Sequence, residues 1–478
     1  MATISSPGVG SGLDVNSIVT QLVAIERQPI VQLQTQATSL QTKLSAFGKL
    51  QSDLSAVRDA AAALTSTTTW NQTTGTSSDS ASVSVTTDAT NLPGSYSVQV
   101  TKLAQAQSNI SKTFTAATDF VGEGTLHIEL GSWDAGTFTA KPGATAVDIS
   151  VGPPAKSLAE VRDMVNAANA GITATVLTDA SGARLVFRSS ATGAINGFKV
   201  TVTDTDGNNV DTSGLSALAY DPSVGVVTMS QALAAANASA LINGAPVSST
   251  TNTLTNVVDG MTLQFQRETT APVQVTTAAD KDAIRKKVEA FVSAYNDLNN
   301  ELAAQTKYDA ATKTAGTLQG DSAAVSLRSS LRNTLRGSSG ASTTFTRLAD
   351  IGFDVQQDGT INLNSSKLDN ALANLGELKK LFSNSDTMTP ANNGFATLFR
   401  TQADQALGID GTLATRSEGL RDSISRNEKR QAELEDRVAQ TEARLRKQYT
   451  ALDAQMGQLQ SLSSYVTQQM AVLTNSKG

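Results

Sequence analysis

From Leu420 onward the chain carries an apolar stripe longer than an ordinary globular helix sustains. Ile424, Asn427, Gln431, Leu434, Val438, Thr441, Leu445, Gln448, Leu452, Gln455, Leu459, Leu462, Val466, Gln469 and Leu473 follow in unbroken steps of four and three. No proline falls after Pro390, so nothing in this stretch removes a helix donor. At 1.5 Å per residue a helix from Leu420 to Leu473 reaches about 80 Å. Thr415 with Glu418 offers a capping box for its start. Asp422/Arg426, Glu433/Arg437 and Glu442/Arg446 place the acid four residues ahead of the base, the favourable order, each worth about 0.2–0.5 kcal/mol. Gln448, Gln455 and Gln469 replace apolar side chains in the stripe, so this helix is expected to need neighbours for completion.

Two other segments share the period. Leu33, Ala37, Leu40, Leu44 and Phe47 step by four and three, as do Leu50, Leu54, Val57, Ala61 and Leu64. The step of three between Phe47 and Leu50 shifts the phase as a stammer does. Ile284, Val288, Phe291, Tyr295, Leu298 and Leu302 form the third seam. An earlier helix is expected to start at Asp14, with Ile18, Leu22 and Ile25 inward and Pro29 as its interruption. Heptad segments at both ends of one chain imply that the ends return to a common helical stalk.

The middle of the chain has a different period. Pro93, Pro142, Pro153, Pro154, Pro222, Pro246 and Pro272 all fall between residues 77 and 275. Val83 and Val85 alternate with polar residues, as do Tyr96, Val98 and Val100 beyond the Pro93-Gly94 turn. Further strands are expected at Leu126–Leu130, Val147–Val151, Ile172–Leu177, Arg184–Phe187, Phe198–Val202 and Met261–Phe265. Ser157 with Glu160 is a capping box for one short helix, Leu158 to Ala170, which Gly171 closes. The fold class is therefore α+β and multidomain: terminal helices in a coiled-coil or bundle stalk, with β-rich head domains inserted between them.

The residue inventory narrows the chemistry. There is no cysteine and a single histidine, His127, in a chain of 478 residues, which excludes thiolate chemistry and leaves any histidine-dependent triad to that one residue. His127 sits on an alternating segment beside Glu129 and reads as a solvated strand residue. Asp204-Thr205-Asp206-Gly207-Asn208-Asn209 resembles a calcium loop, but its glycine comes fourth instead of sixth and Leu215 stands where a bidentate Glu belongs. Gly8-Val9-Gly10-Ser11-Gly12 lacks the Lys-Ser/Thr ending and preceding strand of a phosphate cradle. No catalytic residue, metal ligand or cofactor is expected. A net charge of −6 without a long basic block gives no footprint for nucleic acid. No apolar run approaches a membrane span, and the first twelve residues lack the basic-then-apolar order of a cleaved signal peptide.

Several phrases stand out beyond these patterns: Gly10-Ser11-Gly12-Leu13-Asp14 opening a helix; Leu318-Gln319-Gly320-Asp321 before another; and Leu348-Ala349-Asp350-Ile351-Gly352-Phe353 with Asp358-Gly359-Thr360-Ile361-Asn362-Leu363. Leu378-Lys379-Lys380-Leu381-Phe382 and Leu445-Arg446-Lys447-Gln448-Tyr449 with Leu452, Asp453, Met456 and Tyr465 complete the set. Together they resemble the flagellar hook-associated protein 2 family of filament caps. Residues 157–193 are similar to a small repeat of flagellins. The resemblance implies a terminal export and leg region over 1–32 with a short helix, a helical stalk from 33–76 and 276–440, and a leg helix over 441–478. It also implies a first β-rich head domain from 77–109 and 236–275 and a second, carrying the repeat, over 110–235. Function would be capping of the filament's distal end outside the cell after type III export, by a ring-shaped homo-oligomer that folds and inserts flagellin and prevents its loss. Hook–filament junction proteins would be partners, as would an export chaperone in the cytoplasm before secretion. The alternative is a secreted stalked adhesin that binds glycans through its head.

Overall fold

The computed structural model describes residues 14–475. The chain divides into two compact units: a helical one from residues 1–66 and 284–478, and a β-rich one from residues 67–283.

In the helical unit, the Asp14 carboxylate accepts the Ser17 N–H at 3.0 Å and caps a first helix, Val15–Glu26. Arg27 breaks it, and a second helix, Gln28–Thr65, begins with Pro29 in its first turn, where the missing N–H costs nothing. The inward face of the first helix differs from the expected one. Val15, Val19 and Val23 are buried with Ile30, while Ile25 is 62% exposed and Ile18 and Leu22 are half-buried. Both sets recur at helical spacing on adjoining stripes, so the approach of the neighbouring helix decides between them.

The second helix changes character along its length. Leu33, Ala37, Leu40 and Leu44 are half-buried, whereas Phe47, Leu50, Leu54, Val57, Ala61 and Leu64 are fully enclosed. The enclosure comes from two helices, Phe395–Leu407 and the terminal Thr412–Asn475. Helix Lys281–Thr306 buries Ile284, Val288, Phe291, Tyr295, Leu298 and Leu302. Phe399 packs against Phe291 at 5.1 Å and Tyr295 at 5.9 Å between ring centroids, and Phe353 lies against Phe291 and Phe382. An aromatic cluster thus lies within the helical unit of a chain with few aromatic residues.

The terminal helix begins at Thr412, three residues before the expected Thr415 cap. Gly408 and Gly411 turn the chain tightly: the Thr415 N–H bonds to the Gly411 carbonyl, and a Cβ on Gly411 would meet the Ala406 carbonyl at 2.4 Å. The helix then runs unbroken through residue 441, where a separate leg segment was expected to begin.

The β-rich unit holds two cores. One lies between a five-stranded antiparallel sheet, ordered Thr73–Ser77, Val273–Ala279, Gly94–Lys102, Ala238–Ile242, Ala245–Ser249, and a three-stranded sheet, ordered Thr253–Val258, Met261–Phe265, Val83–Thr87. Val83, Val98, Val100, Leu263, Phe265 and Val275 fill it. Strands Phe120–Asp134, Gly197–Asp204 and Val147–Ser157 join the helix Leu158–Ala167 and the sheet containing Ile172–Asp179 and Gly182–Ser189 around the second core. Val83 and Val85 lie on the strand Val83–Thr87 and the other expected strands lie within observed ones; Ser157 and Glu160 form the expected box, but the helix ends at Ala167 with Ala168 as its C-cap, short of the expected Ala170.

Thr73–Ser77 pairs antiparallel with Val273–Ala279, in register from Thr73 opposite Ala279. The points where the chain enters and leaves this unit are therefore hydrogen-bonded neighbours. That pairing moves the unit's limits outward to 66/67 and 283/284 from the expected 76/77 and 275/276. His127 Nδ1 lies 2.5 Å from Asp148 on the adjacent strand, while Glu129, its expected neighbour, pairs with Lys199 at 2.8 Å.

Candidate assembly interface

The terminal helix meets the first two helices antiparallel, and three side-chain hydrogen bonds mark the register. Gln51 donates to Ser417 at 3.2 Å, Asn427 to Gln36 at 3.3 Å and Arg446 to Asn16 at 3.2 Å. As residue numbers rise on one side they fall on the other. Asp14, where the described chain begins, therefore stands opposite the region just beyond Arg446.

Burial follows this register. Leu420, Asn427 and Val438 are enclosed; Leu434, Leu445 and Tyr449 pack half-buried against Val15, Val19, Val23 and Ile30. Past Asp453 the stripe is bare: Leu459 is 59% exposed, Leu462 58% and Val466 52%, and Leu452 just before it is 43% exposed. Gln448, Gln455 and Gln469 face solvent. Leu40, Leu44, Phe47, Leu54, Val57, Ile284, Val288, Phe291, Tyr295, Leu298, Leu434, Val438 and Leu445 thus lie inside or against the helical unit. For Leu452, Leu459, Leu462 and Val466, packing within one chain is not what the structure has, because among the described residues no segment runs alongside them. Gly10, Ser11, Gly12 and Leu13 lie outside the described residues; Asp14 is the cap already noted.

The bare stripe is wider than its heptad positions alone. Met456, Tyr465, Met470 and Val472 are also exposed. Met456 follows Leu452, and Met470 follows Val466, by four residues, a spacing that was readable but falls one place off the seam. Thioether side chains adapt to irregular partners, and each large apolar side chain fully buried by a partner contributes about 1.5–3 kcal/mol. Of the three acid-first pairs, Glu442–Arg446 closes at 2.8 Å, while Arg426 donates instead to Ser423. The surface is therefore an apolar ribbon on a helix with mixed charge, chemically suited to docking against other helices.

Among the described residues no three His, Cys, Asp or Glu side chains come together to hold a metal ion, and no helix is long and apolar enough to cross a membrane. The Asp204 loop is a self-satisfied turn, its carboxylate accepting from the Ser216 N–H at 2.9 Å and from the Ser216 hydroxyl at 3.1 Å.

Comparison with known proteins places this architecture. Residues 11–107 match the family model described as flagellar hook-associated protein 2 N-terminus, and residues 235–461 match flagellar hook-associated protein 2 C-terminus. The A-type flagellar hook-associated protein 2 of Pseudomonas aeruginosa is 30% identical over 98% of this chain and 97% of its own length. The flagellar hook-associated protein 2 of Escherichia coli K12 is 30% identical over the whole of both. Among solved structures, the crystal structure of the flagellar cap protein FliD D1-D2-D3 domains from Escherichia coli aligns with a TM-score of 0.59 and 26% identity, covering 79% of this chain and 99% of that one. With terminal helices around an inserted β-rich unit and matches spanning both ends of the sequence, the chain belongs to the flagellar hook-associated protein 2 family.

Proposed function

We propose that this protein is a non-enzymatic, self-associating cap at the distal end of the bacterial flagellar filament. Its observational basis is the bare stripe from Leu452 to Val472: a long apolar helix face that no segment among the described residues covers and that suits burial against other helices. In this reading the stripe docks on filament subunits, and the burial free energy of that docking holds the cap in place without nucleotide hydrolysis. Because each docked contact is made of separable apolar side chains, a leg can release one subunit and take the next. Flagellin arriving at the tip is thereby retained, folded and inserted below a ring of cap subunits, outside the cell. Before export the same stripe needs cover in the cytoplasm, a role that suits an export chaperone. At the start of filament growth the cap meets the junction proteins of the hook.

The test is complementation in a strain lacking this gene. Leu459→Asp with Val466→Asp places two charges on the docking face while leaving the folded core untouched. Cells carrying the double variant are expected to secrete unpolymerised flagellin and grow no filaments, with hooks intact and the protein exported in normal amount. Normal filament length with this variant would overturn the reading.

A further inference from the structure

Helix Ser322–Arg336 carries three cations in a row, Arg328, Arg332 and Arg336, each four residues from the next. None of them has an ion-pair partner among the described residues. Arg328 and Arg332 are half-buried and Arg336 is exposed. The Nε atoms of Arg328 and Arg332 are walled in without an acceptor, as is the hydroxyl of Tyr295. Arg332 donates to the Asp358 carbonyl and, at 3.5 Å, to Asn299, both uncharged acceptors. Burial, together with the charge of Arg332, pushes the Arg328 guanidinium below its ordinary pKa. The Asp358 carboxylate lies near enough for the charge of Arg332 to help lower its pKa, but no carboxylate pairs with Arg328 or Arg336 among the described residues; partly desolvated guanidinium groups that repel each other are unfavourable in a lone chain, and each retains unused donors.

The same unit presents a matching pair of acids elsewhere. Glu418 and Asp422 lie four residues apart on the terminal helix, both exposed and without an ion-pair partner among the described residues. They point away from the side that buries Leu413, Ser417 and Leu420. Their neighbour Arg416 is also exposed but is already paired, with Asp321 at 2.9 Å. Three cations at this spacing extend over about 12 Å of helix, too long for one small anion, and leave two gaps with the spacing of one acid pair.

From this juxtaposition we infer that the Arg328–Arg332–Arg336 row is a self-association surface that takes Glu418 and Asp422 of a second copy of this chain. The inference rests on the reading of the protein as self-associating and supplies a contact for it. Because the two patches differ, the contact is heterologous, the type that generates rings when the rotation closes.

Sedimentation velocity of the full-length chain over a concentration series tests this. Arg328→Glu with Arg336→Glu, which spares the intrachain bonds of Arg332, is expected to raise the dissociation constant about tenfold or more, as is Glu418→Arg with Asp422→Arg. Combining all four reversals is expected to restore association to within about threefold of the parent. Arg336→Glu alone alters only an exposed side chain and keeps the test valid if the double variant melts early. An associating parent whose dissociation constant is unmoved by either reversal overturns this contact alone, and so does a combination that fails to restore it. A parent that stays monomeric at all concentrations overturns the self-association reading itself. Inorganic sulfate that raises the melting temperature of the parent but not of R328E/R336E, with association unchanged in both, would assign the row to a small anion and overturn the inference.

Discussion

At the scale of single residues, enclosure separates the side chains that hold the protein together from those that present it. Phe399 is fully buried and touches both Phe291 and Tyr295, and burial also pushes the Tyr295 hydroxyl up to about 12. Phe399→Ala leaves a cavity that neighbouring rings cannot collapse into, so urea unfolding should show a loss of about 3–5 kcal/mol. Leu459→Ala, on the bare stripe, should change stability by less than about 0.5 kcal/mol while weakening growth at the filament tip. Equal losses for the two variants would contradict the division. A second residue-scale effect concerns pH. Lys380, Ser342 and the Thr343 N–H all bond to the Glu377 carboxylate and hold it at about 2, below its ordinary 4.5. Since the folded-state value is the lower one, the ionised carboxylate favours folding above about pH 4.5, and this contribution fades as pH falls toward 2. Glu377→Gln should therefore lower the urea midpoint at pH 7 more than at pH 3; an equal drop at both would count against it.

Among the elements, the terminal helix is one continuous piece whose two halves differ in what covers them. From Leu413 to Leu445 it is backed by the first two helices, and beyond Asp453 its apolar face is open. Helical hydrogen bonds without tertiary packing open readily. In the isolated protein, amides of residues 455–472 should exchange much faster than those of 413–445, and protection of the distal half should rise at the filament tip. Uniform high protection in the free chain would contradict the open face. The seam itself was legible, because steps of four and three are a local property of the chain. Its cover was not: the valines of the first helix and Ile18, Leu22 and Ile25 are equally good stripes, and only the antiparallel register marked by Asn16 and Arg446 selects one.

For the molecule as a whole, the connectivity makes the helical unit depend on both chain ends, while the β-rich unit is continuous in sequence with both its cores inside residues 67–283. Residues 67–283 expressed alone should fold cooperatively, with strand-type circular dichroism and dispersed amide resonances; a disordered product would show that the unit needs its neighbours. The sequence by itself determined the alternation of helical and strand periods, the presence of an insertion between the terminal helices and the absence of thiolate chemistry, since these follow from spacing and inventory. It also carried the strands with clear alternation, but not Thr73–Ser77 or Ala245–Ser249, which are polar or proline-containing and become strands by pairing with distant partners. The aromatic cluster of Phe291, Phe353, Phe382 and Phe399 was invisible for the same reason, its members being drawn from four separate segments. Only the tertiary structure decided where the terminal seam loses its cover, because exposure depends on which distant segment reaches alongside, and no local pattern records how far that segment extends.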